Sequence, residues 1–280
     1  MFSECSGFRQ DRAEDMRDES PTTLQLKRAA PVLHVVLNRP DVHDAFDNVM
    51  IGELTQVFEA IVDDPAVRAV VLRSTGRHFS AGADLNWMRR MADYSESENV
   101  ADARRMETMF RTIATCPKPV VARVQGAALG GGAGLVATAD IAIASTAAQF
   151  GFTEARLGIV PGVISPYVLR KISASQAQAL FLTGARFNAQ RALELGLVHE
   201  VVEPVELDAA IDRVVDDLLA CSPGSQATIK QLVPALAHLG VEAAADLTVE
   251  AITAARASDD GKDGMTAFLA KEKPPWSRKR

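Results

Sequence analysis

The sequence predicts an α/β fold with a largely parallel sheet, followed by a helical subdomain. Short apolar segments alternate with segments whose apolar residues recur at helical spacing, which is typical of right-handed strand, helix, strand units. After residue 205 the helical spacing continues without further strand patterns. We therefore expect a core at 21–205 and a C-terminal helical subdomain at 206–280.

Composition and charge exclude several classes of protein. The 280 residues are 48% hydrophobic, which is enough to bury a full core. Every apolar run is shorter than the roughly 18–20 residues of a membrane span, so we expect no membrane partner. The net charge is −6 and the basic residues are scattered, which argues against nucleic acid as a partner. Three cysteines without CxxC spacing predict neither a disulfide framework nor a metal site.

The first twenty residues differ in character from the rest. They contain six acids, three arginines and no apolar stretch, a pattern that matches neither a secretory signal nor a transit peptide. We expect a disordered N-terminal lead at 1–20 and a cytoplasmic location. The periodic pattern begins after Pro21, so Met16 is an alternative start of translation.

The predicted elements follow one another in a regular order. A hairpin at 22–37 turns near Ala30 and Pro31, and Asp47 is placed to cap a helix at 47–62. Further strands are predicted at 67–72, 119–124, 141–145 and 198–202. Further helices are predicted at 95–115, 165–172, 174–183, 189–195, 208–220, 224–238, 241–258 and 261–271.

Two loops rich in Gly and Ala, at 80–84 and 128–134, follow predicted strands. In the second loop a strand gives way to a helix, so the N–H groups of the first helical turn would face any negative charge there. The residues alone leave two interpretations open: an anion or oxyanion site, or tight packing of a strand against a helix. Neither loop matches a dinucleotide or P-loop pattern.

Three polar residues near these loops are candidates for chemistry. Glu154 lies in a mainly apolar segment, where burial would raise its pKa and make it a proton carrier. The alternative is an exposed acid near a helix start, paired with Arg156. We expect Asp84 to cap the following helix and His78 to be a surface loop residue without a catalytic role.

Several separated motifs resemble the crotonase, or enoyl-CoA hydratase/isomerase, superfamily in order and spacing. They lie at 38–40, 78–85, 117–122 with 126–132, 139–141 and 150–162, and the closing helix at 264–276 is also similar. The resemblance implies an α/β fold: a crotonase-type spiral of ββα units with a C-terminal helical oligomerisation subdomain. It further implies a homotrimer or a dimer of trimers. The sequence at 83–90 and 159–167 is similar to that of bacterial methylglutaconyl-CoA hydratases and related carboxylated-enoyl-CoA hydratases.

The resemblance also implies roles for individual residues. The N–H groups of Ala83 and Gly131 would hold the thioester oxygen in an oxyanion hole, and Glu154 would transfer protons. The residues implied in binding CoA are the backbone around Ala81, Asp84 and Leu85 together with Phe268 and Lys271 of a neighbouring subunit. The partner implied is an acyl-CoA substrate, and no cofactor is expected because CoA is part of that substrate.

Two departures from the family pattern bear on the chemistry. Two-glutamate hydratases have an acid where this chain has Gly134, so Glu154 would act alone. We expect reversible syn hydration of a carboxylated, branched 2-enoyl-CoA such as 3-methylglutaconyl-CoA, an intermediate of leucine degradation. Asp44 stands where the family usually has Asn, and we expect this change to affect a structural hydrogen bond.

Other functions remain compatible with the sequence. A single acid also suits a Δ3,Δ2-enoyl-CoA isomerase, which moves a proton between carbons. A non-catalytic homologue that binds CoA or RNA is a further alternative. The net negative charge of the chain argues against binding of RNA. Arg123, Arg156 and Arg170 are candidates for contacting a substrate carboxylate, and the sequence does not choose among them.

Overall fold

The computed structural model describes residues 21–277, so the predicted lead at 1–20 lies outside the described residues. Within this range the strands are β1 Leu24–Ala29, β2 Val32–Leu37, β3 Ala69–Ser74, β4 Val120–Val124, β5 Ala127–Leu129, β6 Ile141–Ser145, β7 Gln149–Gly151, β8 Arg186–Asn188 and β9 Glu200–Val202.

Eleven α-helices connect and follow these strands in the described part of the chain. They are α1 Asn48–Ala60, α2 Leu85–Met91, α3 Glu96–Thr115, α4 Gly131–Thr138, α5 Ser165–Leu169, α6 Ala174–Thr183, α7 Ala189–Leu195, α8 Leu207–Leu219, α9 Pro223–Leu236, α10 Val241–Ala257 and α11 Asp259–Ala270. None of these helices is long and apolar enough to cross a membrane.

The larger sheet has six strands in the order β1-β2-β3-β4-β6-β9. The predicted hairpin forms as β1 and β2, whose register pairs Leu26 with Val35, and the turn contains the cis bond between Ala30 and Pro31. All other neighbours in this sheet are parallel. Parallel neighbours need helical crossovers, which α1, α3 and α4 provide.

A second, smaller sheet is built from the short strands β5, β7 and β8. Two isolated parallel bridges extend it, one between Phe46 and Ala83 and one between Ser80 and Ala128. Each turn of the chain therefore adds a strand to the large sheet, then a short strand or bridge to the small one, then a helix. This repetition produces the predicted spiral of ββα units.

The inner strands β2, β3, β4 and β6 of the large sheet are buried on both faces, whereas the edge strand β1 is mostly exposed. Because side chains alternate along a strand, Val70 and Leu72 face the main core, whereas Val71 faces the opposite side. On that opposite side α8 covers the sheet with Leu207, Ile211, Val215 and Ala210. Burial on both faces explains why these strands read as continuous apolar runs.

The helices after α8 lie at the edge of the sheet where β3 begins. Trp276 Nε1 donates to Ala220 O at 3.2 Å, and Arg68, immediately before β3, donates to Trp276 O at 3.3 Å. An added Cβ at Gly264 would lie 2.9 Å from Trp276 Cη2, so α11 packs at this same edge. The division of the chain at residue 205 stays a prediction.

Candidate active site

Three chain segments run side by side at the ends of short parallel strands or bridges. Leu129, the last residue of β5, pairs with Gly151, the last residue of β7. On the other side of β5, Ser80 forms a bridge with Ala128. Because the carboxyl ends of parallel strands meet at one edge of a sheet, both glycine-rich loops and the segment after β7 converge there.

Backbone hydrogen bonds hold the first glycine-rich loop against the second. Leu129 N donates to Ser80 O at 3.0 Å, and Ser80 N donates to Ala127 O at 3.0 Å. Gly82 has φ +93, and an added Cβ there would lie 2.7 Å from Leu129 O and 3.7 Å from Gly131 N. Only glycine adopts this conformation without strain and permits so close an approach.

Close packing also requires the glycines of the second loop. Gly130, with φ +51, caps α4, and its N–H donates to Gly151 O at 2.8 Å. An added Cβ at Gly131 would lie 2.1 Å from Phe46 Cζ, and one at Gly132 would lie 2.5 Å from Ser80 O. The run of glycines thus serves tight packing, and it also begins a helix at the point where the three segments meet. Both interpretations of the loop are compatible with this arrangement.

Two N–H groups remain available at this point. Phe46 N donates to Gly82 O and Asp84 N donates to Phe46 O, so the N–H of Ala83 between them points away from that pairing. Gly131 is the first residue of α4, where N–H groups have no partner within the helix. Among the described residues, neither the Ala83 N–H nor the Gly131 N–H donates to a protein group.

The Glu154 carboxylate lies beside the start of α4. Its Oε1 is 3.3 Å from the position that a Cβ at Gly130 would take. Its Oε2 is buried and has no hydrogen-bond partner in the described part of the chain. Burial raises the pKa of Glu154, while a hydrogen bond with its own backbone lowers it in part. Because its pKa is raised, this carboxylate is suited to accept a proton and return it.

The interpretation of Glu154 as an exposed acid paired with Arg156 is not what the structure shows. Glu154 begins a 3-10 helix, Glu154–Leu157, directly after the apolar Phe152. Arg156 points toward α6, because an added Cβ at Gly184 would lie 2.9 Å from its Cγ.

The polar residues around the first loop have structural roles. As predicted, Asp84 caps α2, accepting hydrogen bonds from Asn86 N at 2.8 Å and Trp87 N at 3.1 Å. It also pairs with Arg39 at 3.0 Å. Asp44 is fully buried and accepts hydrogen bonds from Arg39 N at 2.7 Å and Gly76 N at 3.2 Å, the expected structural role.

His78 connects the two glycine-rich loops. Ala127 N donates to His78 Nδ1 at 3.0 Å, so the neutral imidazole carries its proton on Nε2. Burial lowers the pKa of His78, and the neighbouring His43 lowers it further. The His78 side chain is half-buried, not on the surface as expected, and it holds the backbone of the second loop in place.

The residues predicted to bind CoA fall into two groups. Ala81, Asp84 and Leu85 follow Ser80, which forms the bridge with Ala128. The N–H of Ala81 donates to His43 O at 3.0 Å, and Leu85 is 69% exposed. Phe268 is 81% exposed, and Lys271 ends α11 with φ +58. Helix α11 packs near the start of β3, whereas the glycine-rich loops lie beyond the end of β3. Phe268 and Lys271 are therefore not brought close to Ala81, Asp84 and Leu85 of the same chain.

Two of the three arginine candidates lie away from the loops. Arg123 pairs with Asp208 of α8 at 2.6 Å, on the outer face of the sheet. Arg170 lines a cavity of about 1080 Å³ at the C-terminal end of α4, together with Lys171 and His199. Burial lowers the pKa of Lys171 to about 8. This cavity is at the opposite end of α4 from Glu154, so it is separate from the convergence of the loops.

A metal centre is not among the features of this site. Within residues 21–277, no group of three or more His, Cys, Asp or Glu side chains is placed to hold a metal ion. The arrangement offers backbone donors for a developing oxyanion and one carboxylate for proton transfer. It suits reactions that pass through an enolate of a thioester.

A spiral of ββα units with two free N–H donors beside a half-buried glutamate is the arrangement of a crotonase-type protein. The chain belongs to the enoyl-CoA hydratase/isomerase family, whose model matches residues 27–279. The predicted enzyme class, a hydro-lyase of the enoyl-CoA hydratase type, is thereby confirmed. The predicted α/β crotonase fold is confirmed as well.

Relatives and solved structures resemble nearly the whole chain. The short-chain-enoyl-CoA hydratase of Clostridium acetobutylicum is 33% identical over 89% of this chain and 95% of the relative. The 2,3-dehydroadipyl-CoA hydratase of Escherichia coli is 30% identical over 90% of this chain and 98% of the relative. The crystal structure of an enoyl-CoA hydratase from Shewanella pealeana is 39% identical with a TM-score of 0.89, covering 95% of this chain and 99% of that one.

Proposed function

We propose that this enzyme hydrates a 2-enoyl-CoA thioester reversibly, with Ala83 and Gly131 as the oxyanion hole and Glu154 as the only acid and base. The observation that supports this proposal is the convergence, at the start of α4, of two unpaired N–H groups and a carboxylate whose Oε2 is buried without a partner. Paired backbone donors of this kind contribute roughly 3–4 kcal/mol each to transition-state stabilisation when preorganised.

The proposed reaction moves one proton through Glu154. The oxygen of water forms a bond to the β carbon while Glu154 takes a proton from that water. The electrons of the C=C bond shift to the thioester oxygen, where the N–H groups of Ala83 and Gly131 hold the enolate. Glu154 then returns the proton to the α carbon, so hydrogen and hydroxyl add to the same face.

The proposed substrate is an acyl-CoA whose acyl group is branched and carboxylated, such as 3-methylglutaconyl-CoA. The similarity of 83–90 and 159–167 to methylglutaconyl-CoA hydratases supports it. A relative named for a dehydroadipyl thioester shows that carboxylated acyl groups occur among similar proteins. Of the three arginine candidates, Arg156 lies on the same 3-10 helix as Glu154, but its side chain extends toward Gly184 at the end of α6, so none of the three is assigned to a substrate carboxylate.

We propose a homotrimer, or a dimer of trimers, as the active assembly. On α11, Phe268 is 81% exposed and Leu269 is 82% exposed, a strongly apolar surface for a single chain. Because α11 lies at the far edge of its own sheet, Phe268 and Lys271 would contact CoA bound to a neighbouring subunit. Lys271 would offset part of the phosphate charge of CoA.

Isomerisation is the second candidate function. The presence of a single acid beside the oxyanion hole favours it, because a Δ3,Δ2-enoyl-CoA isomerase needs one group to move a proton between carbons. The family itself includes both activities in its name.

A substrate panel separates these candidates. Purified wild type and Glu154→Gln are incubated with crotonyl-CoA, 3-methylglutaconyl-CoA and 3-hexenoyl-CoA, and the products are separated by chromatography. We expect 3-hydroxyacyl-CoA from the 2-enoyl substrates, with the highest kcat/KM for 3-methylglutaconyl-CoA, and a loss of roughly 100-fold or more in Glu154→Gln. Conversion of 3-hexenoyl-CoA alone would assign isomerase activity. Turnover of none would favour the non-catalytic alternative.

A further inference from the structure

The large cavity at the C-terminal end of α4 has no part in the proposed hydration. It has a volume of about 1080 Å³ and lies between the ends of α4 and α5 and the side of α9. The side chains of Leu169, Ile229 and Val233 contribute apolar wall. The charged and titratable side chains that line it are Asp140, Arg170, Lys171, His199, Cys221, Lys230 and His238. Its lining is thus mainly apolar and basic, although the chain carries a net charge of −6.

Lys171 is held at the wall of this cavity without an ion pair in the described part of the chain. Its side chain is half-buried, and its Nζ donates to Asp140 O at 3.0 Å. The Asp140 carboxylate pairs instead with Lys230, and it also accepts a hydrogen bond from Val120 N at 2.7 Å. In its neutral form the Lys171 nitrogen can donate one hydrogen to the same carbonyl oxygen and retain its lone pair.

The surroundings of Lys171 favour this neutral form. Burial lowers the pKa of Lys171 to about 8, with Arg170 and Lys230 adding to the effect and Asp140 opposing it. Burial, and then the charge of Lys171, lower the pKa of His199, so this neighbour is neutral at pH 8. At pH 8 about half of the Lys171 side chains are therefore neutral, against roughly 0.4% for a lysine of ordinary pKa.

A lysine in such surroundings is a nucleophile. Desolvation and neighbouring cations are the two features that activate lysine amines for attack on carbonyl carbon. The family of this chain is named for reactions of enoyl-CoA, which is a thioester and hence an electrophile at its carbonyl carbon. The phosphates of CoA would be attracted to the basic lining of the cavity.

We propose that Lys171 is a site of acylation, at which its amine accepts the acyl group of an acyl-CoA thioester that enters the cavity. The nitrogen forms a bond to the thioester carbonyl carbon and the carbon–sulfur bond breaks. CoA leaves as the thiol, with the proton that the nitrogen gives up. The product is a neutral amide, so the reaction removes a positive charge from beside Arg170 and Lys230.

The size of the expected effect follows from two opposing factors. The neutral fraction at pH 8 favours Lys171 over a lysine of ordinary pKa by roughly a hundredfold. The weaker base is also the weaker nucleophile, and a Brønsted slope of about 0.4–0.5, as for thiols, removes roughly a factor of ten. We therefore expect Lys171 to react about tenfold faster at pH 8 than Lys27 and Lys262, which are both exposed.

Acetyl-CoA is the probe, because it has no C=C bond and the proposed hydration cannot consume it. Wild type is incubated with acetyl-CoA between pH 6.5 and 9.5, and acetylation of each lysine is followed by peptide mass spectrometry. The rate at Lys171 should rise and then level off above a pH of about 8. A Lys171 rate no higher than those of Lys27 and Lys262 at pH 8, or one that keeps rising to the end of the range, would overturn the proposal.

A pair of variants tests whether the thioester enters through the cavity. Val233→Trp places a large side chain in the lining and should slow acetylation of Lys171 about fivefold or more. Val249→Trp is the matched control, because Val249 is 62% exposed against 60% for Val233 and lies outside the lining. An unchanged rate in a Val233→Trp protein that melts as wild type does would show that the cavity is not the route.

The acylation and the proposed hydration can fail separately. Glu154→Gln should acetylate Lys171 at the wild-type rate, because the amine needs neither the oxyanion hole nor a second acid. Hydration by wild type without selective acetylation of Lys171 would overturn the acylation alone. Selective acetylation without turnover of any enoyl-CoA would overturn the proposed function alone.

Discussion

The surroundings of Glu154 destabilise its charged form and suit it for proton transfer. Its Oε2 is buried without a partner, and burial raises its pKa. The charged form is therefore less stable in the folded protein than in the unfolded chain. A catalytic group held in this way lowers the stability of the fold at neutral pH.

Replacement of Glu154 by Gln should therefore stabilise the protein while it removes activity. Because the folded-state pKa is raised, the folded protein binds this proton more tightly, and stability falls as pH rises from the ordinary pKa through the raised one. The variant should melt at a higher temperature than wild type at pH 8, and the difference should shrink toward pH 4. Calorimetry across this range measures both temperatures.

Glu59→Gln is the matched control for this comparison. Glu59 is exposed in α1, so its change should alter the free energy of unfolding by less than about 0.5 kcal/mol. A melting temperature of Glu154→Gln at or below that of wild type at pH 8 would contradict the account of this carboxylate.

Gly131→Ala should destabilise the protein and lower its activity. The new methyl group would lie 2.1 Å from the ring of Phe46, which is fully buried, so we expect a loss of about 1–3 kcal/mol in the free energy of unfolding. Gly52→Ala is the control, because nothing lies within 4 Å of its added Cβ in helix α1. It should stabilise by about 0.5–1 kcal/mol. If denaturant unfolding shows that both variants change the free energy of unfolding in the same direction, the contact with Phe46 does not determine the stability of Gly131→Ala.

At this scale the sequence predicts some residues of the site and misses others. Glu154 is found from its apolar surroundings together with a family motif, and Asp84 from its position before a helix. The packing of Ile164 against Gly134 is missed, because its signal is the absence of a side chain thirty positions earlier in the sequence. A packing partner that far away leaves no local pattern.

At the scale of elements, α2 depends on a single cap. Asp84 Oδ1 accepts hydrogen bonds from the N–H groups of Asn86 and Trp87, and Arg39 pairs with the same side chain. Burial alone would raise the pKa of Asp84, but these hydrogen bonds and Arg39 outweigh it and lower the pKa.

Asp84→Ala should lower the free energy of unfolding by at least about 1–2 kcal/mol, the usual effect of losing a helix cap. Asp84→Asn keeps an acceptor for both N–H groups, so its loss should be smaller and reflect mainly the pairing with Arg39. Urea unfolding of the two variants measures the difference. Equal losses would show that the charge, and not the cap, stabilises α2.

The sequence predicts the long helices and the strands of the large sheet, including the three-residue β9, but not the strands of the small sheet. Helix α3 and strand β6 form within a residue of the predicted bounds, because fifteen or more residues at helical spacing, or a buried apolar strand, carry a strong pattern. Strands β5, β7 and β8 have three residues each and were not predicted. They form because neighbouring turns of the spiral supply pairing partners. These short strands nevertheless place Glu154 beside Gly130.

At the scale of the whole molecule, the account requires two chains to build one complete site. Glu154 and the glycine loops lie where β3 ends, whereas α11 packs where β3 begins. Glu154→Gln should therefore complement the double variant Phe268→Ala and Lys271→Ala when the two proteins are refolded together. Each mixed assembly would contain a site with Glu154 from one chain and an intact α11 from another.

The complementation is measured as kcat/KM of the mixture against the sum of the separate variants. We expect activity clearly above that sum, together with a trimer mass by light scattering. A mixture that shows only the sum, although mixed assemblies form, would place α11 outside the site.

The central claim is that Glu154 alone transfers the proton while water adds to the β carbon. A single turnover of 3-methylglutaconyl-CoA in H₂¹⁸O, followed by mass spectrometry, tests it most directly. The account predicts one ¹⁸O atom in the product formed by wild type and no labelled product on the same timescale with Glu154→Gln. Labelled product from Glu154→Gln at the wild-type rate, or unlabelled isomerised product from wild type, would contradict it.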